Sequence, residues 1–108
     1  MAMTPEKKVK ERVAKQLRKI GAYFFYPATG GYGRSGVPDI VGCYKGMFFG
    51  IECKAGKNKL TELQRHELHR IQLAEGQAFV VDEGIMDDVA EIIERKHKWK
   101  EHDRARQV

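Results

Sequence analysis

Two apolar runs, residues 39–44 and 47–54, are separated only by Lys45-Gly46, and this pair constrains the fold more than any other feature of the chain. Glycine takes the positive φ of a two-residue hairpin turn, so the runs read as antiparallel strands. A turn symmetric about Lys45 and Gly46 pairs Tyr44 with Met47, and continuing the ladder sets Asp39 opposite Glu52. Opposed residues project from one sheet face with Cβ atoms about 4.5–5.5 Å apart, so two carboxylates there can reach one cation. Lys54, two residues beyond Glu52, shares that face. The other face carries Ile40, Tyr44, Met47, Phe49, Ile51 and Cys53, and even the acidic face keeps Val41 and Phe48, so the hairpin is expected to be covered on both sides.

Thr4 and Pro5 read as the N-cap and first-turn proline of a helix with Val9, Val13, Leu17 and Ile20 on one side, closed by Gly21. Residues 22–26 form an aromatic strand before Pro27, and residues 28–36, with four glycines, form a loop. Thr61-Glu62-Leu63-Gln64 matches a capping box and opens a second helix that runs to about Glu75. Residues 78–81 form a strand, and Gly84 precedes a third helix carrying Ile85, Val89, Ile92 and Ile93. The order is αβββαβα. A length of 108 residues suits one domain. We place it at residues 1–94, followed by a basic extension at 95–108 that either prolongs the helix or frays.

Twenty Lys and Arg against fifteen Asp and Glu leave a net charge of +5, which suits a polyanionic partner such as nucleic acid. No apolar stretch is long enough to span a membrane and no secretion signal opens the chain, so a cytoplasmic location is expected. Cys43 and Cys53 fall on opposite hairpin faces and form no CxxC pair, which argues against a disulfide and a zinc–cysteine site.

Paired carboxylates beside Val41 and Phe48 resist ionisation, and a divalent cation relieves the repulsion. Mg²⁺ or Mn²⁺ held by Asp39 and Glu52 would keep positions for a phosphate oxygen and a water, with Lys54 orienting or deprotonating that water. The plain alternative is a surface ion-pair cluster. Residues 31–36 fit the letters GxGxxG but lead into a strand, so a loop with Tyr32 stacking on a base and Arg34 meeting phosphate is the better reading. Lys57, Lys59 and Arg65 flank the site and suit backbone phosphates, whereas His66 and His69 lack further ligands.

Pro38-Asp39 followed after twelve residues by Glu52-Cys53-Lys54 resembles the PD-(D/E)xK nuclease signature. With Thr4-Pro5-Glu6, Gly36-Val37-Pro38-Asp39, Gly50-Ile51-Glu52-Cys53-Lys54 and Gln64, the pattern is similar to the virus-type replication-repair nuclease (VRR-Nuc) family, whose small free-standing members occur in phages and bacteria. The resemblance implies an α/β, restriction-endonuclease-like αβββαβ core: a four-stranded mixed sheet flanked by helices. It further implies Asp39, Glu52 and the Cys53 backbone carbonyl as metal ligands, Lys54 and Gln64 as catalytic residues, and Glu6 as a supporting acid at the metal. Glu6 and Gln64 also have sufficient explanations as a first-turn acid and a helix cap. The expected function is metal-dependent, structure-selective cleavage of Holliday junctions or other branched DNA by a homodimer. The alternative is an inactive nucleic-acid-binding module of the same fold. A restriction-type enzyme reading specific sequences is disfavoured by the small surface.

Overall fold

Lys45 and Gly46 both take positive φ, 47° and 85°, the conformation that lets two strands reverse without splaying. The ladder beyond that turn runs from Tyr44 with Met47 to Ile40 with Ile51, the register expected from the sequence. The computed structural model describes residues 3–28 and 35–106. Its elements are α1 (Pro5–Lys19), β1 (Tyr23–Phe25), β2 (Ile40–Tyr44), β3 (Met47–Cys53), α2 (Glu62–Leu73), β4 (Gln77–Val81) and α3 (Val89–Arg106).

The four strands form one sheet in the order β1-β2-β3-β4, antiparallel from β1 to β3 and parallel between β3 and β4. The parallel pair requires a crossover, which α2 supplies. The result is the expected mixed α/β sheet flanked by helices. On one face, Val9, Val13 and Leu17 of α1 and Val89 and Ile93 of α3 pack with Ile40, Tyr44, Met47, Phe49, Ile51 and Cys53. Each large apolar side chain fully buried there contributes about 1.5–3 kcal/mol.

The opposite face is only half covered. Helix α2 packs on β3 and β4, where Gly50 leaves the space that a Cβ would take 2.6 Å from Ile71. Over β1 and β2 no helix covers this face among the described residues. Tyr23, Cys43 and Phe48 stand in one row across three strands there, with Tyr23 72% and Phe48 47% exposed. The hairpin is thus not sheltered on both sides as expected, because one short helix spans only two strands.

Helix α3 starts at Val89, later than the apolar spacing from Ile85 suggests. Asp82 holds the preceding turn by accepting from the Gly84 N–H, and Ile85 remains on the surface. Gln16 of α1 accepts from the Ala90 N–H, so an exposed donor of the first turn is satisfied from another helix. Beyond residue 94 the helix continues unbroken. His97 packs edge-on against Tyr44 with centroids 5.5 Å apart, and Lys96 lies over Phe79.

Candidate active site

The site forms where the last residues of β3 meet the first turns of α1 and α2. Thr4 caps α1 and Pro5 starts it, placing Glu6 in its first turn. Thr61 caps α2 through the complete capping box, placing Gln64 in its first turn. Gly36, at φ 83°, brings the chain before Pro38 against Leu63, where a Cβ would lie 2.6 Å from the backbone. The segment leading to Asp39 is therefore docked on the helix that carries Gln64.

Glu52 is 2% exposed. Its Oε1 accepts from Gln64 Nε2 at 3.2 Å and lies 4.0 Å from Lys54 Nζ, which is itself 3.7 Å from Glu6 Oε1. Gln64 Oε1 meanwhile accepts from the Thr61 N–H at 3.0 Å. One amide thus both closes the helix cap and donates to the Glu52 carboxyl. Asp39 Oδ2 accepts from the Cys53 N–H at 2.8 Å, which ties the start of β2 to the end of β3.

Glu52 Oε2 is buried and has no hydrogen-bond partner among the described residues. Burial first, then Asp39, pushes the Glu52 pKa up to about 8: Asp39 can accept a hydrogen bond from the neutral acid and repels the anion. Lys54 opposes the shift and Glu6 adds to it. Burial likewise raises the Cys53 thiol to about 12, with Asp39 and Glu52 reinforcing it, so its sulfur stays protonated.

Sequence reasoning placed Glu6, Asp39, Glu52, Cys53, Lys54 and Gln64 in one site, and the fold brings these six together. Lys57, Lys59 and Arg65 are exposed, in the loop after β3 and on α2. Tyr32 and Arg34 lie outside the described residues. Among the described residues no three His, Cys, Asp or Glu side chains form a metal-ligand cluster. Two residues at the site escaped the sequence reading. The Glu83 carboxylate accepts from the Gly56 N–H at 3.1 and 3.0 Å and pins the turn after Lys54, a contact across 27 residues without a local signal. Tyr26 borders a cleft shared with Asp39; its place at a strand end was legible, its neighbours were not.

The family model for the archaeal Holliday junction resolvase (hjc) matches residues 6–81, a stretch that contains the entire cluster. The chain belongs to that family. Membership places it among structure-selective DNA endonucleases. A solved VRR_NUC domain is similar in fold at a TM-score of 0.67 and 23% identity, covering 85% of this chain and 97% of that one. The Holliday junction resolvase Hjc of Archaeoglobus fulgidus is similar at a TM-score of 0.55 and 21% identity, covering 70% of this chain and 66% of that one. No curated protein matches the chain. The family match ends at the close of β4, so α3 lies beyond it. No helix among the described residues is long and apolar enough to cross a membrane.

Proposed function

We propose that this nuclease hydrolyses phosphodiesters of Holliday junctions or other branched DNA with Mg²⁺ or Mn²⁺, using Asp39 and Glu52 as carboxylate ligands and Lys54 as the catalytic lysine. The observation that carries the reading is Glu52, buried beside a second carboxylate and a lysine with one oxygen unpartnered among the described residues. Burying such a group without a partner is costly, and a hard divalent cation suits an all-oxygen donor set. Asp39, Glu52 and the Cys53 backbone carbonyl would hold the ion. When bound, it would acidify a coordinated water and draw charge from the phosphate.

The chain's own groups supply the rest. Lys54 Nζ, its side chain 11% exposed, is held between Glu6 and Glu52, where it can orient the attacking water and donate to the oxygen that gains charge. Gln64 Nε2 fixes Glu52 Oε1, and Glu6 acts through the lysine. Lys57, Lys59 and Arg65 offer exposed cations to the DNA backbone.

A homodimer fits this reading, since a twofold pair presents two sites to a symmetric four-way junction. The open sheet face with Tyr23 and Phe48 is the apolar surface available for a second copy. Monomer mass in light scattering at working concentration counts against it.

A panel of labelled four-way junctions, flaps, splayed arms and plain duplex, with Mg²⁺ or Mn²⁺, tests the proposal. Wild type should cut the branched forms, and Asp39→Ala and Glu52→Gln should abolish cutting while binding persists. Cleavage surviving in both variants overturns the site; no cleavage by wild type on any substrate returns the chain to a binding module.

A further inference from the structure

Beside the carboxylate cluster a cleft of 460 Å³ opens between α1 and the chain after β1, lined by Glu6, Lys7, Lys10, Glu11, Tyr26 and Asp39. That volume lies within the roughly 300–1,000 Å³ of small-ligand sites. Asp39 belongs both to this cleft and to the proposed site, so whatever fills the cleft adjoins the phosphate to be cut. Tyr26 stands at the end of β1, 45% exposed, its ring meeting Phe24 edge-on with centroids 6.2 Å apart. Lys10 Nζ sits 4.5 Å from its centroid.

The charges sort in a consistent way. Of the three carboxylates lining the cleft, Glu6 is paired with Lys54 and Asp39 is oriented by the neutral Cys53 N–H toward the proposed site, while Glu11 stands with Lys7 and Lys10 on α1. A half-exposed aromatic ring with an ammonium against it and a second ammonium nearby is the chemistry that receives single-stranded nucleic acid: the ring stacks on a base and the cations meet phosphate.

We infer that this cleft is a subsite for one unpaired nucleotide flanking the cleaved phosphodiester, its base stacked on Tyr26 and its phosphate met by Lys7 and Lys10. The inference rests on the nuclease reading above and explains selectivity for branched DNA. In uninterrupted duplex each base is paired and stacked on both sides, and drawing one out costs a few kcal/mol, whereas a base at a branch point leaves its stack at less cost. Tyr26 thus selects substrate by the ease of releasing a base rather than by sequence.

The test places 2-aminopurine at successive positions around the branch point of a flap and of a four-way junction, titrated with full-length protein in EDTA. Wild type and Tyr26→Phe should quench the fluorophore at a position next to the branch, and Tyr26→Ala and Tyr26→Leu should not. Affinity of the two non-aromatic variants should fall about tenfold for branched DNA and stay unchanged for plain duplex. Circular dichroism and melting of Tyr26→Leu, which keeps apolar bulk, separate this result from misfolding. Equal quenching, or equal cleavage of branched DNA in Mg²⁺, by wild type and Tyr26→Leu overturns the subsite and leaves the nuclease reading intact. Tyr26-dependent quenching by a wild-type protein that cuts nothing in Mg²⁺ or Mn²⁺ overturns the nuclease reading and keeps the nucleotide subsite.

Discussion

Arg12 meets Asp87 through two hydrogen bonds of 2.9 Å on the surface, whereas Lys54 stands 3.7 Å from Glu6 and 4.0 Å from a buried Glu52. The first pair has the two-pronged geometry a guanidinium and a carboxylate prefer, and each partner favours the other's charge: Arg12 is raised and Asp87 lowered from their ordinary values. The second group has longer contacts, two acids side by side and an oxygen without a partner. The well-made pair is nonetheless the less informative one, because with side chains 48% and 58% exposed it does what water would do nearly as well. A buried cluster that leaves its own groups poorly matched marks a candidate functional site, because such mismatch concentrates where function requires it.

The largest test of this contrast is catalytic. Lys54→Ala should lower the cleavage rate about 10²–10³-fold with DNA binding retained, while Arg12→Ala leaves the rate unchanged. Comparable losses in the two variants, measured on the same junction under single-turnover conditions, would erase the distinction.

Next comes pH. Glu52 keeps its proton in the folded protein up to about 8, against an ordinary value of 4.5, so between those values the unfolded chain has released a proton that the folded chain retains. This contribution is full below about 4.5 and is lost as pH rises through about 8. In EDTA, wild type should therefore lose a few kcal/mol relative to Glu52→Gln across that window, read from urea unfolding at each pH. Adding Mg²⁺ should cancel much of the loss. Parallel curves for the two proteins would show that Glu52 ionises freely where it stands.

Smaller effects separate the two bonds of Gln64. Thr61→Ala removes the cap alone and should cost about 1 kcal/mol of stability with little change in cleavage. Gln64→Ala should lower both, since its other amide atom holds Glu52. Matching cleavage rates for these variants would reduce Gln64 to a cap. Smallest of all, Asp87→Asn should shift the melting temperature slightly at low salt and not at high salt.

Much of this site was legible because its information is local. A two-residue turn and a period of two set the register that brings Asp39 toward Glu52, and the capping box located Gln64. What escaped depends on contacts between distant segments. Gln16 and the turn at Asp82 delay α3 beyond its apolar pattern, and Glu83 reaches back to Gly56. The reach of α2 over the sheet, which decides that Phe48 stays in the open, follows from helix placement rather than from the alternation along β3. Nothing in the spacing of the charged residues of α1 tells that Tyr26 and Asp39 stand across from them.

The pairing set at the Lys45-Gly46 turn also acts as a ruler for engineering. Because side chains alternate along a strand, a one-residue slip in the pairing of β2 with β3 would carry Glu52 and Lys54 to the core side and turn Cys53 outward. A loop graft at this turn spares the chemistry only if it holds Tyr44 opposite Met47.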